Sequence, residues 1–128
     1  MKQFRSQFEA YLAALLKKGG QQYAYEPTRI KYTKPEQHTG YTPDFFLPDY
    51  GFYIEAKGLF SGKDRKKHIW VREQHPELDI RFVFQNSRLF LNPKSKTRYC
   101  DWADKHGFLW SHKNPSSAWF TKDNNNEI

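Results

Sequence analysis

Asp44, Glu55 and Lys57 have the residue types and the spacing to do chemistry together. Residues 42–48 and 52–57 read as two strands joined by Asp49-Tyr50-Gly51, a hairpin turn. A turn centred on Asp49 and Tyr50 sets Asp44 opposite Glu55, with Cβ atoms about 4.5–5.5 Å apart. Lys57, two residues beyond Glu55, projects from the same face. A bulge at Gly51 would shift this register. Two directly opposed carboxylates repel each other, and a hard divalent cation removes that objection. Mg²⁺ takes oxygen ligands, often only one or two carboxylates, and completes its shell with water and substrate phosphate. Such an ion can polarise a phosphodiester and acidify a bound water, while Lys57 holds the water or offsets charge in the transition state. These parts suffice for phosphodiester hydrolysis without an organic cofactor. They would equally suit a surface hairpin carrying a cross-strand ion pair, and spacing alone leaves both readings open.

The elements that must position this hairpin follow from periodicity. Phe4, Phe8, Tyr11, Leu12 and Leu15 recur at helical spacing over 4–18, with Lys17 and Lys18 at the negative end and Gly19-Gly20 as the stop. On that helix Glu9 lies at the border of the apolar stripe. A short strand is predicted over 21–26, then a long polar connection over 27–41, punctuated by Pro27, Pro35 and Gly40. Further on, a helix is predicted over 62–75, a strand over 78–85 and a helix over 96–106. A short strand at 108–110 and a helical turn over 115–120 complete the series. The order α, β, β, β, α, β, α defines a mixed α/β fold.

A chain of 128 residues is sized for one domain. Eleven Phe, eight Tyr and four Trp supply a dense core, which is the expected place of Phe45, Phe46, Trp70, Phe82, Phe84 and Trp102. The net charge of +7 favours a polyanionic partner. No segment approaches the roughly 20 apolar residues that span a bilayer, and no small-residue cleavage site follows the first helix, so neither a membrane nor a signal peptide is expected. Cys100 is the single cysteine, which excludes an intrachain disulfide and fits a reducing cytoplasm. His38, His68, His75, His106 and His112 lack zinc-ligand spacing, so no zinc is expected. Lys63, Arg65, Lys66, Lys67 and His68 crowd the first turns of the helix after the Glu55–Lys57 strand, where cations oppose the helix dipole. A phosphate backbone would compensate. This cluster is assigned to DNA contact, with Arg72 extending the face and Arg5 as a further candidate.

Tyr41-Thr42-Pro43-Asp44-Phe45 followed by Glu55-Ala56-Lys57-Gly58 forms the PD…ExK pattern of restriction-endonuclease-like nucleases. Asp64-Arg65-Lys66-Lys67-His68 and the run from Arg72-Glu73-Gln74-His75 to Asp79-Ile80-Arg81 are more specific. With Phe4-Arg5-Ser6 and Tyr25-Glu26, they closely resemble the phage endonuclease I family, the Holliday-junction resolvases of T-odd phages. The resemblance runs over about 4–110 and implies a restriction-endonuclease-like mixed sheet flanked by helices, in a domain-swapped homodimer. It implies Asp44 and Glu55 as metal ligands, Lys57 as the active-site lysine, and Glu9 as a further acidic residue given by the partner chain. Ala56 stands where family members often carry Thr, and its backbone carbonyl is the expected contact with the metal. The implied activity is Mg²⁺-dependent hydrolysis of branched DNA, with Mn²⁺ able to substitute, giving 5′-phosphate ends at four-way junctions.

The expected plan is one nuclease domain over 1–128, with an exchanged helix and strand at 1–33, a bridge at 34–40, a catalytic body at 41–120 and a frayed tail at 121–128. A Pro-stiffened polar bridge is a recognised route to exchange. A phage-encoded enzyme of this kind would act in the host bacterial cytoplasm. Two rivals stand beside this reading. One is a nuclease of the same fold that nicks linear or mismatched duplex, motivated by termini poor in basic residues. The other is a basic DNA-binding module without catalysis.

Overall fold

The computed structural model describes residues 3–34 and 37–121. The tip of the expected bridge, residues 35–36, and the expected tail beyond residue 121 lie outside them. Helix α1 (Gln7–Lys18) begins where the Ser6 hydroxyl accepts the Glu9 N–H at 3.0 Å. It ends at Gly19, and Gly20 takes a positive φ of 74° to turn the chain away. The stripe it buries is Leu12, Ala13 and Leu16, with Phe8 and Leu15 half-buried and Tyr11 at 38% exposure on its margin. Relative to the sequence reading the face is turned toward Leu16. Glu9, Leu12, Ala13 and Leu16 then share one side of the helix, at helical spacings of three, four and seven. Glu9 thus continues the buried stripe toward the helix N-terminus.

Strands β1 (Ala24–Tyr25), β4 (Phe45–Leu47), β5 (Phe52–Lys57), β6 (Ile80–Phe84) and β7 (Trp110–His112) form a mixed sheet in the order β1-β4-β5-β6-β7. β4 runs antiparallel to its neighbours β1 and β5, whereas β5, β6 and β7 run parallel. The parallel step from β5 to β6 is made through α2 (Gly62–Gln74), which the Ser61 hydroxyl caps by accepting the Asp64 N–H at 3.1 Å. In the β4–β5 hairpin Phe45 faces Ile54, Phe46 faces Tyr53 and Leu47 faces Phe52, so the register matches the sequence reading. Gly51, with φ of 79°, sits within the turn and does not displace it.

One face of the sheet buries Phe45, Leu47, Phe52, Ile54 and Val83 against α1. The other buries Phe60, Phe82 and Phe84 with Tyr99, Trp102 and Phe108, many of them edge to face. Phe46 and Trp70, expected in the core, are only half-buried. Helix α3 (Tyr99–Lys105) ends at His106, after which Gly107 has φ of 75° and Phe108 donates its N–H to the Ala103 carbonyl at 2.8 Å. That cap uses Phe108, so the last strand starts at Trp110 and not at 108. The helix also begins later than the expected residue 96, because the Leu91 N–H bonds Thr97 and Phe90 bridges Arg98 across a preceding turn. A 3-10 turn over Ser117–Phe120 closes the chain against Tyr50 and Phe52.

The connection over 27–41 is more ordered than its composition suggests. It contains strands β2 (Ile30–Lys34) and β3 (Gln37–Tyr41), paired antiparallel as a separate two-stranded sheet. Ile30 and Tyr32 alternate inward and join Tyr41, Val71 and Ile80 in a third apolar cluster against α2. The apolar residues are too few and too widely separated for their period of two to stand out among the polar ones.

Candidate active site

Asp44 immediately precedes β4, and extension of the observed register sets it beside Glu55 on β5. Both are buried, as is Lys57, at 8%, 5% and 7% exposure, which places three ionisable groups inside the fold and not on a solvated hairpin. The Ala56 N–H donates to Asp44 Oδ2 at 2.9 Å. In an extended strand the N–H and C=O of one residue point toward the same edge, so the Ala56 carbonyl lies on the Asp44 side as well. Lys57 Nζ lies 3.2 Å from Glu55 Oε2 and 3.3 Å from Asp64 Oδ2. Asp64 reaches inward from the first turn of α2 and also meets Lys67 at 3.3 Å.

The electrostatics of this cluster are crowded. Burial first, then the charges of Glu55 and Glu9, push the Asp44 carboxyl up to about 9, against smaller help from the Ala56 N–H and Lys57. Burial would lower Lys57, but Glu55 and Asp64 outweigh it and hold its ammonium above the usual lysine value. Burial would raise Asp64, but Lys57 and Lys67 outweigh it and keep this carboxyl below its ordinary range. Asp64 is thus the counter-charge of the lysine, a role the sequence reading did not assign. Its position in the first turn, together with Ser61, also compensates the helix dipole beside the basic cluster.

Glu9 arrives from α1 and accepts a short hydrogen bond from the Tyr25 hydroxyl. Glu26 was not singled out either. Its backbone takes φ of 47°, its N–H donates to the Asp44 carbonyl at 2.7 Å, and its carboxylate meets Arg5 Nε at 2.9 Å. Glu9, Glu26 and Asp44 each offer an oxygen, and these oxygens lie within 4.8 Å of one another. Tyr25 and Glu26 stand among the residues that carried the family resemblance, yet no spacing rule links them to Asp44; the link exists only because β1 pairs with β4. A hard oxygen-binding cation fits this set, because the donors are carboxylate oxygens and Asp44 is raised first by burial and then by the charges of Glu55 and Glu9, both of which a cation would offset.

The residues open onto a cleft of about 340 Å³, rimmed by Arg5, Arg29 and Lys67. Arg29 was not foreseen. It crosses directly over Gly40, where a Cβ would fall 2.4 Å from its Nε. The expected DNA-contact set divides. Arg5 and Lys67 border the cleft, and Lys63 and Lys66 are exposed around an adjoining hollow with Tyr32 and Trp70. Arg65 instead donates to the Phe60 carbonyl at 2.6 Å, and Arg72 stacks on Phe108 at 4.6 Å, on the side of α2 facing α3. His68 is 1% exposed and lies edge-on to Tyr41 and Phe82, so it is removed from the contact set. A helical run of basic residues must present some of them inward, and His68 sits one turn after Asp64 on the buried side.

Opposed acids, a buried lysine two residues on and a cationic rim define the equipment of a phosphodiester-cleaving nuclease. The sequence model of the family described as phage endonuclease I matches residues 1–128 of this chain. The chain therefore belongs to the phage endonuclease I family. It is 50% identical over 110 residues to endodeoxyribonuclease 1 of Enterobacteria phage T3, covering 86% of this chain and 72% of that protein. It is 43% identical over 116 residues to endonuclease I of Escherichia phage T7, covering 91% of this chain and 77% of that protein. Among the described residues no helix is long and apolar enough to cross a membrane.

Proposed function

We propose that this chain is a divalent-metal-dependent endodeoxyribonuclease that resolves four-way and other branched DNA by paired nicks, leaving 5′-phosphate ends. The observation that carries the reading is the burial of Asp44 and Glu55 side by side, with Lys57 against Glu55, in a cleft whose rim is cationic. Asp44, Glu55 and the Ala56 carbonyl would hold Mg²⁺, or Mn²⁺ in its place, and Glu9 would serve a second cation or orient water. When bound, such an ion polarises the phosphate and acidifies water at the site. Lys57 presents its ammonium toward the reacting phosphate and offsets charge as it develops, while Asp64 keeps that side chain aimed. Arg5, Arg29 and Lys67 attract and seat the DNA backbone.

The working unit in this reading is a homodimer in which residues 1–33 cross to the partner, so that Glu9 completes the neighbouring site. In the structure this segment packs on its own chain, with Leu12 and Leu16 against β4 and β5, so that Glu9 lies in its own cleft. The Arg5–Glu26 and Tyr25–Glu9 contacts lie within the segment and would travel with it to a partner. Two coupled sites suit paired nicks, because one dimer then engages two strands at once. The host cytoplasm is the proposed place of action.

The test is Mg²⁺-dependent cleavage of a four-way junction and of its linear arms at matched salt, with Glu55→Ala as control. Junction cleavage that is much faster, and absent in the variant, is expected. Equal rates on both substrates would favour a nicking nuclease of linear or mismatched duplex. Junction binding without any cleavage would instead leave a DNA-binding module.

A further inference from the structure

Three of the four carboxylates that line the cleft, Asp44, Glu55 and Glu9, share a feature that their residue types alone do not require. Asp44 and Glu9 each have one oxygen engaged by a hydrogen-bond donor of the chain itself, and Glu55 has Oε1 so engaged while its Oε2 faces Lys57 Nζ at 3.2 Å. Asp44 Oδ2 accepts the Ala56 N–H at 2.9 Å, Glu55 Oε1 accepts the Tyr41 hydroxyl at 2.6 Å, and Glu9 Oε1 accepts the Tyr25 hydroxyl. Neither phenol is free to swing. Tyr41 is 4% exposed, ends β3 opposite Ile30, stands edge-on to His68 at 5.1 Å and carries Lys67 Nζ 4.9 Å over its face. Tyr25 is wedged against Phe4 and Phe45 at 4.6 and 5.4 Å, and its oxygen accepts the Arg5 N–H at 3.1 Å.

We propose that Tyr41 and Tyr25 are positioning residues that tie Oε1 of Glu55 and Oε1 of Glu9, so that a cation meets Glu9 through its other oxygen and Glu55 through the Oε2 it shares with Lys57, which favours Mg²⁺ over Ca²⁺. The proposal rests on the metal-site reading above. Ca²⁺ takes six to eight oxygens and readily accepts both oxygens of one carboxylate, whereas Mg²⁺ takes few protein ligands in a strict octahedron and keeps several waters. A carboxylate with one oxygen already held is a poor two-oxygen ligand, and a smaller, water-rich shell is the one it suits. Partners of this outer kind commonly set both the orientation of a ligand and its affinity for metal. Because Tyr25 and Glu9 lie on the same N-terminal segment, their tether would accompany Glu9 whichever protomer completes the site. Tyr41 plays the corresponding part from the β2–β3 hairpin, which makes that small sheet a support of the site and not only a connection.

Calorimetric titration of the full chain with Mg²⁺ and with Ca²⁺ tests this without relying on turnover. In Tyr41→Phe and Tyr25→Phe the ratio of the two affinities should move toward Ca²⁺ by about tenfold each, on the scale of lost outer-shell contacts. Tyr53→Phe, on β5 and packed on Phe46, should leave the ratio where it is in the wild type. Cation-free thermal melts check that each variant folds, and if Tyr41→Phe does not, the half-buried Tyr25 decides the matter. An unchanged ratio in every folded phenylalanine variant overturns the tether while leaving the metal site standing. A wild-type chain that binds neither ion and shows no Mg²⁺-dependent cleavage overturns the metal-site reading itself.

Discussion

The β4–β5 hairpin and the α1–β1 segment both bring carboxylates to one cleft, but they do so by different physics. In the hairpin, Asp44 and Glu55 are neighbours because a short turn fixes the register, and an unbroken ladder of three pairs leads from the turn to them. In the other segment, Glu9 reaches the site because Leu12 and Leu16 are fully packed on the sheet, and Glu26 because β1 adds to the edge of β4. Local pairing thus builds one half of the site and long-range packing the other. The first half should tolerate loss of stability elsewhere; the second should not.

The sharpest way to break that contrast is chemical. Lys57→Ala should lower cleavage by on the order of 10²–10³-fold, as removal of a charge-stabilising group does, while junction binding by gel shift persists. Asp44→Asn should abolish cleavage at least as fully, yet the cation-free protein should melt no lower, because a buried carboxylate pressed by Glu55 and Glu9 becomes neutral. A large fall in its melting temperature would show that the crowding at Asp44 is misread.

Next in size comes packing. Leu12 is 0% exposed, and Leu12→Ala should cost about 2–5 kcal/mol in chemical denaturation. If Glu9 depends on that contact, the variant should also cleave more slowly than its residual folded fraction explains. A Phe46→Leu change on the half-buried face of the hairpin should lower stability without that second effect.

The effect of pH has a defined sign. With its carboxyl raised from an ordinary 3.8 to about 9, Asp44 binds a proton more tightly in the folded chain than in the unfolded one. Its contribution to stability is therefore complete below about pH 4 and is lost progressively as pH rises toward 9. The same proton competes with a cation, so the gain in melting temperature on adding Mg²⁺ should be larger at pH 8.5 than at pH 5.5. In Asp44→Asn that difference should vanish.

The smallest expected effects lie at the rim. Gly40→Ala forces Arg29 to move from its path over residue 40, and should weaken DNA binding by a few-fold and reduce the slope of log affinity against log salt by about one. Arg72→Ala should leave DNA affinity unchanged and cost no more than about 1 kcal/mol of stability, since its guanidinium stacks on Phe108.

The legible parts of this protein were those governed by short-range rules. Strand β5, helix α2 and the Asp44–Glu55 register follow from a strand-like run, from a helical stretch that Pro76 stops, and from a hairpin turn. The β2–β3 hairpin escaped because its inward residues, Ile30, Tyr32 and Tyr41, are sparse in a polar stretch and need α2 to give them a face. The division of the basic helix into rim lysines, a buried His68 and a stacked Arg72 escaped for a related reason, since spacing gives relative angles but not which angle faces inward.

The sequence by itself determined the acidic pair, the lysine beside it and the basic surround, because residues joined by a tight turn have their separation set by backbone geometry alone. Only the tertiary structure decided that Asp64 answers Lys57, that Glu26 stands next to Asp44, and that two tyrosines hold Glu9 and Glu55. Those contacts join elements far apart in the chain, and their distances depend on how apolar faces pack, which no local spacing encodes.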